Sequence, residues 1–482
     1  MSASSRTTEV PDGVAGSAGG AEVSQAAPVK EPAPTTTPGL AGTKAASDAF
    51  GTDAVVGHTN PADDDVDPAA VKRLPFGELA RRIGPGFILA GIQLGPGSLT
   101  TSAMLGAVYG YNLLWILLPV IFMGATFILV SYRLSMMTGM PTIAAIRKYY
   151  GNAAAGFVGI ICFLSCMFFN IGNIAGIGAG MNLIFGIDWR IGACIIWVLV
   201  MLIYFSKGVY DKIEKGVMAA LVFLTLSFLV ALVMGGGVDG GKFVTGLTRW
   251  SFPEGSLVTV LGFLGSSASV LAGMYGTYLG SEKGWNKRDF YNGVMTADAA
   301  TQVFGTVLIS GLILLVGAVI VNPMGGTIKT ASDLATLLVP VLGTWSALVM
   351  GIALLAAAFA AIMGNTGRCV VFLNAGLNKA TGLDSKNVKV SAAALLVFAL
   401  VVCMIFGGNP VQLVYFSNVA TSIATPVAGL FITLMIYRKD LGGKRAFPRG
   451  LKVCMTISYA CYAGLMLFAL YQAVPKFLGS VL

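Results

Sequence analysis

One apolar segment of this chain is long enough to cross a lipid bilayer, yet it contains a helix-breaking motif at its centre. The segment spans residues 83–109, and about 20 apolar residues suffice for a transmembrane helix. Its middle is Gly95-Pro96-Gly97-Ser98, in which the proline has no amide proton to donate and the glycines are conformationally free. Non-helical backbone at membrane depth persists only when it is buried in protein or lines a wet cavity. The segment therefore predicts a broken transmembrane helix beside a substrate site, the alternative being a proline kink without a ligand.

Composition supports a membrane protein for most of the chain. Of the 482 residues, 56% are apolar and only 11% are charged, with a mean hydropathy of +0.79. Residues 1–75 differ, because they are rich in Ala, Gly, Ser, Thr, Pro and Asp and include the single histidine, His58. We therefore expect a disordered cytoplasmic tail over 1–75 and a transmembrane transporter domain over 76–482.

Apolar periodicity predicts an all-α polytopic membrane protein with eleven spans. After the broken first span, the apolar segments cover residues 112–137, 153–186, 190–206, 215–236, 256–281, 291–321, 344–376, 389–407, 410–437 and 452–473.

The distribution of basic residues predicts the orientation of these spans. With eleven spans, 23 of the 31 Lys and Arg residues fall on the side of the N-terminus, Arg368 among them, and five fall on the opposite side. The positive-inside rule then places the N-terminus in the cytoplasm and the C-terminus outside, in the cell membrane. Since the basic residues cluster in alternate loops, their distribution indicates membrane topology and not a nucleic-acid surface.

The sixth span carries a second interruption, in the small, hydroxylated and glycine-rich stretch of residues 266–277. We expect residues 272–277, which include Ala272, Gly273 and Tyr275, to be non-helical. Small residues also form close helix-packing faces, which is the alternative. However, spans 1 and 6 would be the first helices of two five-helix halves, and paired interruptions at matching places indicate a transporter site.

Several motifs resemble those of the NRAMP family of divalent-metal transporters. That family begins with Gly-Pro-Gly-Phe, has an Asp-Pro-Gly-Asn break, and enters its helix 2 through Gly-Tyr-x-Leu-Leu-Trp. The corresponding segments here, with those similar to the family's helices 8 and 10, are residues 84–87, 95–98, 110–115, 359–367 and 417–426. The resemblance covers about 83–437, and it implies a LeuT-like inverted repeat of spans 1–5 and 6–10 plus an eleventh helix.

The chain departs from the family at the positions that bind metal. The family's helix-1 Asp and Asn correspond to Gly95 and Ser98, and its helix-6 Met-Pro-His falls on Gly273-Met274-Tyr275. Its helix-10 Gln falls on Ala424. From this comparison the expected substrate-binding residues are Gly95, Gly97, Ser98, Ala272, Gly273, Tyr275, Asn418, Ser422 and Ala424, and the identity of any bound metal is open.

Three further residues bear on coupling to protons or ions. The family's helix 3 carries an Asp and a Glu linked to proton movement, and those places hold Asn170 and Asn173 here, which do not titrate. Asp298 is the one acidic residue well inside a predicted span, so it is a candidate for an ion- or proton-linked role. A salt bridge with the nearby Lys287 or Arg288 at the inner mouth is the alternative.

Two substrate classes are compatible with this sequence. Family resemblance implies a divalent cation of the Mg or Mn type, which would be partly hydrated since the pocket retains mainly hydroxyls and carbonyls. We expect transport without NRAMP-type proton coupling, because Asn170 and Asn173 cannot titrate. The alternative is a small organic solute such as an amino acid or a carboxylate, held by the N-termini of half-helices at residues 98–100 and 276–277. A non-transporting sensor is a third reading. We expect no enzyme activity, cofactor or nucleic-acid partner, only the lipid bilayer and the transported solute.

Overall fold

The computed structural model describes residues 70–325, 328, 331–336, 338–339, 343–405, 413–414, 417, 421–441 and 447–481. Regular structure in these segments is helical, which confirms the all-α class. Of the predicted tail, residues 1–69 lie outside the described residues. The last residues before the first helix are anchored, because the amide of Leu74 donates a hydrogen bond to the carbonyl oxygen of Asn292 (3.1 Å).

The helices are numbered in chain order. They are α1 (Phe76–Arg82), α2 (Pro85–Gln93), α3 (Pro96–Tyr109), α4 (Leu117–Thr138), α5 (Thr142–Phe185), α6 (Trp189–Phe205), α7 (Val209–Met234), α8 (Gly240–Thr248), α9 (Leu257–Ser267), α10 (Val270–Glu282), α11 (Lys287–Tyr291), α12 (Val294–Val316), α13 (Ala331–Thr336), α14 (Ser346–Gly376), α15 (Lys386–Ile405), α16 (Ala424–Ile436) and α17 (Arg449–Val481).

Helices occupy the predicted spans wherever the structure describes them. Among the described residues, eight helical segments are long and apolar enough to cross a membrane, and two shorter apolar ones are Trp189–Phe205 and Thr421–Ile436. Large apolar side chains on α6 and α7 are exposed, as expected for helices that face lipid. The helix α5 begins before its predicted span at residue 153, and it changes direction at Gly151, whose φ of 89° is left-handed.

The first span is broken as predicted, although the break is shorter. The helix α2 ends at Gln93, Leu94 and Gly95 leave helical geometry, and α3 begins at Pro96. Gly97 and Ser98, expected in the break, are helical. Proline suits the first position of a helix because the amide it lacks would have no partner there.

The second break lies within the interrupted stretch 266–277, but the prediction that residues 272–277 are non-helical is wrong. The chain leaves helical geometry at Ala268 and Ser269, and α10 begins at Val270. The hydroxyl of Ser269 caps α10 by accepting a hydrogen bond from the amide of Leu271 (3.2 Å). The glycines beyond it serve helix packing, because a Cβ at Gly273 would lie 2.5 Å from the carbonyl oxygen of Phe127 on α4.

The two broken helices pack against each other crosswise. The helix α3 contacts α9, and α2 contacts α10, so each half of one broken helix lies against the opposite half of the other. This is the arrangement expected of an inverted repeat. The helix α5 supports the first break, because the ring of Pro96 fills the space where a Cβ of Gly176 would lie, 2.3 Å from the proline Cγ.

We expect Gly176→Ala to destabilise the protein by about 1–3 kcal/mol, because the added methyl group overlaps a rigid proline ring. The measurement is the midpoint of thermal unfolding of the purified protein in detergent. Gly464→Ala on α17 is the matched control, since no atom lies within 4 Å of its added Cβ. Equal stability of the two variants would mean that Gly176 does not position the break.

Candidate functional site

A small cavity lies where the two breaks meet. Its volume is about 10 Å³, which is room for about one water molecule. The lining residues come from both broken helices and from α5, α14 and the turn before α16, and they are Ile92, Gln93, Phe169, Gly265, Ser266, Ser269, Leu271, Arg368 and Thr421. In the described conformation the site is therefore too small for a larger solute, which enters only after the helices move.

A buried positive charge lines this cavity. Arg368 lies inside α14 and is only 5% exposed. Its guanidinium donates from Nε (2.9 Å) and from one Nη nitrogen to Oδ1 of Asn365, and its Cζ lies 5.8 Å from the centre of the Phe169 ring. Arg368, which the sequence places with the basic residues on the side of the N-terminus, is therefore a buried residue of a membrane-spanning helix, and the asymmetry of the other basic residues is unchanged.

A chain of amide hydrogen bonds fixes the position of this guanidinium. Nδ2 of Asn365 donates to the carbonyl oxygen of Cys166 (2.7 Å) and to Oδ1 of Asn170 (2.8 Å). Nδ2 of Asn170 donates in turn to Oγ1 of Thr366 (3.1 Å). Asn170, predicted only as a lost proton-linked position, therefore helps to hold Asn365 and through it Arg368. Every member of the chain is a neutral amide, hydroxyl or carbonyl, so the network supplies no counter-charge.

The second helix-3 position, Asn173, lies directly at the first break. Its Oδ1 is 3.0 Å from the place where a Cβ of Gly95 would be, and the Cβ of Ala361 is 2.8 Å from that place. Nδ2 of Asn173 has no hydrogen-bond partner among the described residues, and the side chain is 1% exposed. An unsatisfied buried donor is costly, which makes this amide available to an acceptor on a ligand.

Several serine hydroxyls near the breaks form hydrogen bonds within the protein. The hydroxyl of Ser98 donates to the carbonyl oxygens of Gln93 and Gly95 (3.1 Å to the latter), and the hydroxyl of Ser269 bonds to that of Thr425 (2.8 Å). The hydroxyl of Ser266 donates to carbonyl oxygens within its own helix. These hydroxyls use their protons within the protein but keep oxygen lone pairs, and the buried hydroxyl of Ser267, next to the second break, has no hydrogen-bond partner among the described residues.

Gln93 reaches the cavity from the end of α2 with its oxygen already occupied. Oε1 of Gln93 accepts hydrogen bonds from Nε2 of Gln302 and from Oγ1 of Thr306 (3.0 Å), both on α12. The amide nitrogen is therefore the part of Gln93 that remains for a ligand, and it is a donor.

The predicted residues of span 6 lie beyond the cavity. Gly273 packs against Phe127 and Ser131 of α4, and the ring of Tyr275 packs edge-on against Phe372 of α14. The hydroxyl of Tyr275 has no hydrogen-bond partner among the described residues. Ala272 is buried in the first turn of α10. The cavity is lined from this helix by Ser269 and Leu271 instead.

The structure describes two of the three predicted binding residues of span 10, Ser422 and Ala424. The hydroxyl of Ser422 donates to the carbonyl oxygen of Leu261 (3.2 Å) and lies against Gly265, so it supports α9 beside the cavity. Ala424 is fully buried at the start of α16. Asn418 lies outside the described residues. The role of these residues in substrate binding stays a prediction.

Asp298 is away from the cavity and anchors the beginning of α2. The carboxylate is fully buried, and Oδ1 accepts hydrogen bonds from the amides of Gly84 (3.0 Å) and Gly86 (2.8 Å). Oδ2 accepts one from the hydroxyl of Tyr132 (2.9 Å). These contacts replace the predicted alternative of a salt bridge with Lys287 or Arg288. Salt bridges at this end of the bundle join Arg82 to Asp289 and Lys283 to Glu214 instead (2.8 Å each).

No clustered metal ligands accompany the cavity. Among the described residues, no group of three or more His, Cys, Asp or Glu side chains could hold a metal ion. A larger groove of about 340 Å³ lies between α4 and α12, but its lining is apolar apart from Thr296, so it suits hydrocarbon and not an ion.

The sequence contained a signal for Arg368 that the prediction overlooked. Arg368 is the one basic residue in the apolar segment 344–376, about two helical turns inside its end. An ionisable residue within a transmembrane segment is a functional candidate. Ser266 and Ser269 lie in the small, hydroxylated stretch 266–277 that the sequence marks as an interruption. Gln93, Phe169 and Thr421 carried no comparable signal, because only tertiary packing brings them to this cavity.

Comparison with known proteins identifies relatives of the whole transmembrane part. Residues 86–472 match the family described as natural resistance-associated macrophage protein-like, or Nramp. The divalent metal cation transporter MntH of Staphylococcus aureus (strain JH9) is 26% identical over 396 residues, which cover 75% of this chain and 84% of the relative.

Solved structures share the fold. A mutant of the Eremococcus coleocola manganese transporter superposes with a TM-score of 0.69 at 17% identity, covering 86% of this chain and 92% of the other. MhsT in complex with L-phenylalanine gives a TM-score of 0.54 at 17% identity, covering 80% and 98%. These likenesses confirm the predicted LeuT-like architecture.

Proposed function

Because the chain belongs to the Nramp family, we propose that it is an alternating-access secondary transporter whose substrate crosses the membrane through the cavity between α2–α3 and α9–α10. The observation that supports this proposal is the meeting of two broken helices at one small cavity lined by buried residues. Family membership also agrees with the expectation of a transporter and not an enzyme.

A divalent cation is the first candidate substrate, because the relatives that match this chain are named as divalent metal and manganese transporters. The C-terminal ends of α2 and α9 carry partial negative charge, and a partly hydrated Mg²⁺ or Mn²⁺ would bind carbonyl oxygens there. Arg368 opposes such binding. A guanidinium and a divalent ion about 6 Å apart repel each other by roughly 5 kcal/mol at an effective dielectric constant near 20.

A small organic solute with a carboxylate is the second candidate, and Arg368 is the observation that favours it. The cavity contains this guanidinium but no carboxylate side chain, so its charge complements an anion. For either substrate, we propose that transport proceeds without protons carried by Asn170 and Asn173, with the N-terminus in the cytoplasm and the C-terminus outside.

Uptake by proteoliposomes that contain the purified full chain tests the proposal. We expect uptake of radiolabelled Mn²⁺ or of L-leucine or succinate above that of protein-free vesicles, without stoichiometric acidification reported by a dye in the lumen. Gly265→Val should abolish uptake, because its side chain would fill the cavity and overlap Ser422. Gly464→Val, at an open position of α17, is the control. Absence of uptake of all three solutes would contradict the proposal, and acidification in step with uptake would contradict its coupling part.

A further inference from the structure

The charge of Arg368 is uncompensated in the described structure. Every Asp and Glu beyond Asp67 lies in a described segment, and no salt bridge joins Arg368 to any of them. Its nearest described partner is the neutral amide of Asn365, and its flat face lies over Phe169. A buried cation without a counter-ion is strongly unfavourable, so the site is incomplete without an anion.

The guanidinium retains N–H donors for a ligand. Nε and one Nη nitrogen both donate to Oδ1 of Asn365. Arginine has five N–H donors in a planar fork, so three remain on the two Nη nitrogens, and the thiol of Cys166 lies within hydrogen-bond range of the guanidinium as well. The edge formed by the two Nη nitrogens matches the two oxygens of a carboxylate in a bidentate arrangement.

The other polar groups near the cavity also favour an anion. The 13-residue helix α10 begins at the cavity and contributes the positive end of its dipole next to Ser269. Asn173, one helical turn along α5 from the lining residue Phe169, carries a buried amide nitrogen without a described partner. The amide nitrogen of Gln93 is a third donor, because the oxygen of that side chain is held by α12.

We propose that Arg368 is the anchoring residue of a small carboxylate that binds in the central cavity as the transported solute. This inference rests on the proposed function, because it takes the central cavity to be the transport site. A single guanidinium and one helix N-terminus match the one negative charge of a single carboxylate group better than the roughly two that a phosphate group concentrates on one centre at neutral pH, and succinate tests whether a second, separate carboxylate is accepted. Asn365 and Asn170 act as positioning residues, since they hold the guanidinium without facing the solute.

Thermal shift and calorimetric titration of the purified full chain test this inference with defined probes. The probes are L-leucine, succinate, inorganic phosphate and MnCl₂, and L-leucinamide is the matched ligand that lacks the carboxylate. We expect L-leucine or succinate to bind and to raise the unfolding midpoint. The same experiment on Arg368→Gln should show binding weakened by about 10- to 100-fold, the range for a lost hydrogen bond to a charged group. Arg449→Gln, at the exposed start of α17, should bind as the wild type does.

If Arg368→Gln fails to fold, comparing the binding of L-leucine with that of L-leucinamide to the wild-type protein still tests the inference. Binding of L-leucine without binding of L-leucinamide identifies an amino acid, and binding of succinate alone identifies a dicarboxylate. Either result supports the inference. Binding of MnCl₂ or phosphate without binding of L-leucine or succinate would overturn it, as would equal binding of L-leucine and L-leucinamide, or a folded Arg368→Gln that binds carboxylates as tightly as the wild type.

Failure of this inference is distinguishable from failure of the transport proposal. If Mn²⁺ accumulates in proteoliposomes while neither carboxylate binds, the protein is a transporter and Arg368 does not anchor the substrate. If L-leucine or succinate binds through Arg368 but no solute accumulates, the anion site exists and the transport assignment is wrong.

Discussion

Asp298→Ala is expected to destabilise the purified protein by about 3–5 kcal/mol and to abolish transport. The carboxylate is the acceptor for the amides of Gly84 and Gly86 and for the hydroxyl of Tyr132, and all of these contacts are buried. Alanine would leave them without an acceptor, so the beginning of α2 would separate from α12. The measurements are the midpoint of thermal unfolding and the hydrogen exchange of the peptide that covers residues 83–93.

One further variant separates the geometry of the Asp298 side chain from its charge, and a second variant serves as the control. Asp298→Asn keeps an oxygen for both amides, so its stability should stay near that of the wild type. Loss of transport by a stable Asp298→Asn protein would assign the carboxylate a role in coupling. Asp211→Ala, at an exposed position of the first turn of α7, is the control for removal of a carboxylate. Unchanged stability and exchange in Asp298→Ala would refute the anchoring role.

Gly95→Asp, combined with Ala361→Gly, is expected to weaken binding of carboxylate probes by at least about tenfold. The second substitution removes the methyl group that would lie 2.8 Å from the new Cβ. The new carboxylate would lie beside Phe169, whose ring also contacts the Arg368 guanidinium. It would therefore compete with the solute for the guanidinium, because like charges repel in a small buried site.

The same pair of substitutions restores the acidic residue that NRAMP relatives carry at this position. With Arg368→Gln added, the cavity would hold an anion and no cation, so we expect Mn²⁺ to bind at least about tenfold more tightly than to the wild type, a change of about 1.4 kcal/mol. Titration with MnCl₂ checks this, with Ala361→Gly alone as the control. If carboxylate and Mn²⁺ binding are indifferent to all three substitutions, Gly95 does not line the substrate site.

The sequence by itself determined the features that depend only on local side-chain and backbone chemistry, namely the membrane-spanning helices and the first helix break. Long apolar segments cross a bilayer whatever their partners, so the all-α membrane class was predictable from hydropathy. The break at Gly95 was predictable because Pro96 lacks an amide proton wherever it is placed. Family motifs then supplied the LeuT-like architecture, which the fold comparison confirms.

The second break shows why glycine content alone misplaced part of the site. Gly273 and Gly276 are small because α4 packs closely against them, with Phe127 at one and Tyr132 at the other. The chain is broken at Ala268 and Ser269 instead, where a serine hydroxyl caps the next helix. The sequence shows where a side chain is small. Only the packing of the helices determines whether that position allows a break in the helix or the close approach of a neighbouring helix.

Only the tertiary structure decided the electrostatics of the site. The sequence showed which acidic and imidazole ligands of the family are absent, and from this it left cation and carboxylate as alternatives. The fold brings Arg368 from α14 to the junction of the two breaks, and it places every described carboxylate outside salt-bridge distance of that residue. The net charge of a buried site depends on which charged residues, distant in the sequence, the packed helices bring together. Spacing along the chain does not encode it.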